Sequence, residues 1–183
     1  MDFLLRRLRK LRMRIFWSED HQKTSEVWSH PSIITVMKQG TFEKEIFIRS
    51  DARTVINVIA DYSQHHKIHP LIIKVERAKE EPAGVRRYFI TDSLQWGPFK
   101  FKTKYQADII SVTEDTIHTE AHPSLKTAVT NITRITNKEG GVVLHETITI
   151  TTPNIFFNYV FHQAQTAHEE MLKRIKKYVE GQK

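Results

Sequence analysis

The last third of the chain limits its fold more than any other part. Residues 142–151 alternate as a strand, Thr152-Pro153-Asn154 punctuates, and residues 155–179 read as one uninterrupted helix. At about 1.5 Å per residue that helix spans roughly 40 Å, well beyond the mean helix of about 11–12 residues. A helix this long directly after a run of strands is expected to lie across a curved sheet as a lid. Such a lid leaves room beneath it for a ligand.

The sheet to be covered is legible upstream. Phe42, Lys44, Ile46 and Ile48 share one side of a strand over residues 41–49. Ser50 and Asp51 then offer an N-cap to a short helix carrying Val55, Ile56, Val58 and Ile59. A second short helix over residues 63–68 stops before His69-Pro70, because a residue preceding proline leaves helical geometry. Strands follow over residues 71–79, 85–93, 99–110, 116–121, 126–136 and 142–151, the last two joined by the turn signal Asn137-Lys138-Glu139-Gly140-Gly141. Within 99–110, Phe99, Phe101, Thr103, Tyr105 and Ala107 alternate with Lys100, Lys102, Lys104 and Gln106, which directs lysines to water and aromatics inward. Short connections imply antiparallel pairing. The expected fold is therefore α+β: a seven-stranded curved antiparallel sheet gripping the long C-terminal helix, with two short helices after the first strand.

The 183 residues suit one such domain, residues 38–180, with an N-terminal extension. No run of about 18 apolar residues occurs, so no membrane-spanning helix is expected. The absence of cysteine removes disulfides, thiolate nucleophiles and Cys-based metal sites. An intracellular protein, cytoplasmic or peripheral to a membrane, fits this composition.

The net charge of +7 is concentrated at the start. Arg6, Arg7, Arg9, Lys10, Arg12 and Arg14 face only Asp2, leaving 22 basic and 20 acidic residues in the remainder. The domain itself is thus close to neutral, and a nucleic-acid partner is not expected. In residues 1–17, Met1, Leu4, Leu5, Leu8, Leu11 and Ile15 form one apolar stripe with the basic residues around it, closed by Phe16 and Trp17. Such a basic amphipathic helix suits an anionic membrane surface. It also resembles a mitochondrial presequence, and packing on the domain or on a second subunit is a further alternative. Residues 18–37 read as a linker.

The local sequence also carries a resemblance. Ile46-Phe47-Ile48-Arg49-Ser50-Asp51-Ala52 leading to Val55, then Ile59-Ala60-Asp61-Tyr62, then Ile68-His69-Pro70, resembles the START-like (SRPBCC, helix-grip) superfamily over roughly residues 39–179. Ile68 departs from the tryptophan that many members carry. The superfamily includes pollen-allergen-like proteins, lipid-transfer domains and polyketide cyclase/dehydrase-like proteins, so the resemblance implies fold more than function.

In that fold a cavity lies between the concave sheet face and the helix. The helix is expected to contribute Phe156, Tyr159, Val160, Gln163, Ala167 and Met171, followed by Arg174 and Tyr178. Phe99, Phe101 and Tyr105 are the expected sheet lining, with Tyr88 and Ile90 behind them, and His69 and Trp96 are placed at the entrance. Some of these aromatics would simply fill the core. Glu146 falls on the apolar alternation of Val142, Leu144, Ile148 and Ile150, making it a weak candidate for acid–base catalysis, or a structural partner of Arg134 on the next strand. His65, His66 and His69 cluster, but adjacent helical positions point about 100° apart, so no metal site is expected. No cofactor motif is present. The expected ligand is a hydrophobic small molecule or lipid. A cyclase/dehydrase-type enzyme and a partner-binding protein without an open cavity are the alternatives.

Overall fold

In the computed structural model, the described residues are 36–96, 98–123 and 126–181, with the side chain of Trp96 not among them. The basic arm and nearly all of the linker therefore lie outside the described residues.

The chain order is β1 (Met37–Ile48), α1 (Ala52–Ala60), a 3-10 turn (Tyr62–Gln64), α2 (His65–Ile68), β2 (Ile72–Arg77), β3 (Arg86–Trp96), β4 (Phe99–Val112), β5 (Thr116–His122), β6 (Ala128–Lys138), β7 (Gly141–Pro153) and α3 (Asn154–Glu180). The seven strands form one antiparallel sheet in the order β1-β7-β6-β5-β4-β3-β2. All connections are hairpins except that from β1 to β2, which sit at opposite edges with the two short helices between them. Asp51 caps α1 by accepting the Thr54 backbone N–H at 2.9 Å, as its position before the apolar stripe leads one to expect.

The strand-to-helix junction is tighter than the sequence suggests. β7 continues through Pro153, paired with Met37, and α3 starts at the next residue. Proline is tolerated there because the residue before a helix owes no backbone N–H to the helical ladder. The inward positions of β7 are Val142, Leu144, Glu146, Ile148, Ile150 and Thr152, all buried. From α3, Phe157, Ala167, Met171, Leu172, Ile175 and Val179 are buried. Arg174, expected inward, is a correction: it lies on the helix flank, paired with Glu170 at 2.8 Å.

Two details fix the helix over the sheet. At its C-terminal end, Lys176 Nζ donates to the Phe47 carbonyl at 2.6 Å, and Glu180 accepts the Arg49 backbone N–H at 2.8 Å. At its N-terminal end, Phe157 and Phe161 stack with centroids 5.1 Å apart against Gly40 of β1. A Cβ at position 40 would meet the Phe157 ring at 2.6 Å, so the close approach requires glycine.

Candidate functional site

Between these two anchors the helix stands off the sheet, leaving a pocket of about 490 Å³. The periodicity of α3 places Phe156, Tyr159, Val160, Gln163, Ala167 and Met171 in its wall. From the sheet come Ile90, Phe101 and Tyr105. His69, at the end of α2, is also in the wall, its Nδ1 accepting the Leu71 backbone N–H at 3.3 Å.

Two expected lining residues are not there. Phe99 has the inward parity but pairs with Trp96 at the tip of the β3–β4 hairpin, and it is 73% exposed. Phe101, two residues further along, is still 40% exposed. Alternation fixes which face a side chain takes, not how far along the strand cover extends. Tyr88 is buried instead in the core beside the pocket, its ring 5.2 Å from that of Tyr62. Trp96's side chain lies outside the described residues.

The wall also carries polar groups. Glu146 is 1% exposed. Its Oε1 accepts from Asn131 Nδ2 at 2.9 Å, and its Oε2 accepts from His168 Nδ1 at 3.0 Å. Arg134 is not its partner, which corrects the sequence expectation: Glu146 pairs across the sheet with Thr133, while Arg134 pairs with His145 and points away. On β3, Asp92 shares the inward face of Ile90 and Leu94 and accepts from the Tyr105 hydroxyl at 3.0 Å. Burial pushes the Asp92 carboxyl up to about 6, opposed by that hydrogen bond. Burial likewise raises the Tyr105 hydroxyl well above its ordinary value, with the neighbouring Asp92 adding to the effect. Tyr62 is pushed up to about 12 and His65 down to about 4, in both cases chiefly by burial.

Asp92 and His168 were the residues sequence reasoning missed. Asp92 carried the same signal as Glu146, an acid on an apolar alternation. His168 lies next to Ala167 and four residues from Ala164 on the inward stripe, so its helical position was readable.

The clustered histidines are committed to backbone. His65 Nε2 donates to the Ile59 carbonyl at 2.7 Å and His66 Nδ1 to the Ser63 carbonyl at 2.9 Å. Among the described residues no three His, Asp or Glu side chains are grouped to hold a metal ion. No helix among them is long and apolar enough to cross a membrane.

With this geometry in place, comparison with known proteins is informative for the fold. No family model and no curated protein matches the chain in sequence. Among solved structures, the START superfamily protein from Mycobacterium smegmatis is similar with a TM-score of 0.65 at 15% identity, over 78% of this chain and 99% of that one. The fold is the START-like, helix-grip fold. The di-domain ARO/CYC protein StfQ of the steffimycin biosynthetic pathway matches with a TM-score of 0.66 at 14% identity, over 79% of this chain. This chain spans 51% of that protein's length. Ara h 8.0201 matches with a TM-score of 0.58 at 18% identity, over 79% of this chain and 99% of its own. At such identities the START-like likeness concerns architecture, and the pocket's chemistry rests on the residues described above.

Proposed function

We propose that this START-like chain binds an apolar small molecule, of lipid-like or polyketide-like character, in the pocket beneath α3. The pocket itself carries the reading: about 490 Å³ between helix and sheet. That volume falls within the range of roughly 300–1,000 Å³ common to small-molecule sites. Affinity would come from desolvation by Phe101, Tyr105 and the inward face of α3. Burying some 300 Å² of apolar ligand surface is worth very roughly 7 kcal/mol before entropy losses. The open volume argues against a protein whose interior is filled by its own side chains. Residues 1–17 would dock the protein on the anionic membrane that donates or receives the ligand.

Native mass spectrometry and solvent extraction of the purified full-length protein test the reading. The expected result is a copurifying apolar compound retained after removal of residues 1–17, with binding to anionic liposomes lost on that truncation. A protein that emerges empty and takes up no apolar compound overturns it.

A second reading, a cyclase- or dehydrase-type enzyme, is favoured by one observation: the Asp92 carboxyl, raised to about 6, lies in an apolar wall where it could exchange protons near neutral pH. Conversion of the extracted compound by wild-type protein, lost in Asp92→Asn, would establish this reading. An unchanged compound on prolonged incubation would exclude it.

A further inference from the structure

His69 and His168 meet in the pocket wall with ring centroids 6.2 Å apart and planes at 86°. One nitrogen of each ring is committed within the protein. Because His69 Nδ1 accepts the Leu71 N–H, the proton of the neutral ring sits on Nε2. Burial, above all, holds His69 well below the ordinary imidazole value, which keeps it neutral. Because His168 Nδ1 donates to the Glu146 carboxylate, the neutral ring keeps its lone pair on Nε2. Among the described residues neither Nε2 atom has a hydrogen-bond partner. A ring with a donor and a ring with an acceptor therefore meet in a largely apolar wall, their centroids 6.2 Å apart.

We propose that His69 and His168 clamp a single hydroxyl group of an otherwise apolar ligand. The ligand O–H donates to His168 Nε2, and its oxygen accepts from the Nε2–H of His69. An alcohol, enol or phenol satisfies both rings at once. An ether or ketone satisfies only His69, and a carboxylate meets the His168 lone pair unfavourably. Glu146 holds the His168 tautomer, and Asn131 holds Glu146, so the acceptor is oriented before the ligand arrives. The proposal rests on the pocket being the binding site, and it names the polar group that an occupant presents there.

Isothermal titration of the full-length protein with 2-naphthol and 2-methoxynaphthalene tests it. The methyl ether is the more apolar compound, so area alone favours the ether. The clamp instead predicts a preference of about tenfold for the naphthol, the scale of one hydrogen bond to a preorganised site. His69→Phe leaves the Glu146–His168 pair in place and removes a donor that both probes use, so it is expected to weaken both by about threefold or more while the preference stays near tenfold. His168→Leu removes the acceptor that only the naphthol uses and is expected to reduce the preference to about threefold or less, with Glu146→Leu/His168→Leu substituting for it should the lone buried carboxylate prevent folding. Equal affinity of the two probes in the wild type, a preference that survives in whichever His168 variant folds, or a His69→Phe variant that binds both probes as tightly as the wild type, overturns the clamp alone. Failure of both probes to bind overturns the clamp together with the pocket reading.

Discussion

Glu146 of β7 and His168 of α3 join strand to helix through a 3.0 Å hydrogen bond inside an apolar enclosure. A carboxylate so deeply buried depends on its partners. His168→Ala would leave it with Asn131 alone, and a loss of about 3–5 kcal/mol is expected, as for other buried pairs broken from one side. Adding Glu146→Met should recover most of that loss, because the stranded charge goes with it. Urea denaturation of the two variants measures the difference. A double variant no more stable than His168→Ala would show that the pair does not hold the helix down through charge.

The raised Asp92 carboxyl has a definite pH signature. Its folded value of about 6 exceeds the ordinary 3.8, so the folded protein holds this proton more tightly than the unfolded chain. Its contribution to stability is present below about pH 4 and is lost as pH rises through 6. Asn cannot ionise but can still accept from Tyr105. Asp92→Asn should therefore be more stable than wild type at pH 7.5, by about 2–3 kcal/mol at most. The gap should shrink toward pH 4. His65, pushed down to about 4, works in the opposite sense, losing stability as pH falls from 6.5 toward 4. It is common to both proteins and drops out of the comparison. Thermal melts from pH 4 to 7.5 give the answer, and a gap that does not vary with pH would refute the assignment.

What the sequence revealed and what it hid divide along physical lines. Strand alternation, the Asp51 cap and the stripe of α3 are local periodicities, so the seven strands, the short helices and six helix residues of the wall were readable. The partner of Glu146 was not, because it depends on strand register and on how α3 is rotated over the sheet. A one-residue difference in pairing separates Thr133, opposite Glu146, from the outward Arg134. Phe99 failed for a related reason: its parity is right, but only tertiary structure shows that cover ends before the hairpin tip. Thr152-Pro153-Asn154 reads as punctuation between strand and helix, whereas pairing with β1 carries the strand through Pro153 and the helix starts at Asn154.

Gly40 should tolerate no side chain while the Phe157 ring holds its place. Gly40→Ala puts a methyl 2.6 Å from Phe157 Cζ and 2.9 Å from Phe161 Cε2. Overpacking of this kind typically costs about 1–3 kcal/mol. Combining it with Phe157→Leu removes the colliding ring, so the second substitution should cost less in the Gly40→Ala background than alone. A double-mutant cycle from denaturation midpoints reads this directly. Strict additivity would mean that β1 shifts to accommodate the methyl and that the contact does not set the helix position.

Ala167 and Val55 are both buried, at 4% and 0% exposure, but only Ala167 borders the pocket. The contrast separates empty volume from packed core. Ala167→Phe directs a ring into space that no protein atom fills, so it should cost less than about 1 kcal/mol while lowering affinity for 1-anilinonaphthalene-8-sulfonate by about tenfold or more. Val55→Phe enters close-packed surroundings and should cost about 1–3 kcal/mol with no loss of probe affinity in the folded fraction. Fluorescence titration and chemical denaturation of both variants provide the four numbers. Equal destabilisation by the two substitutions would mean that the space beneath α3 closes in solution, and the binding reading would fall with it.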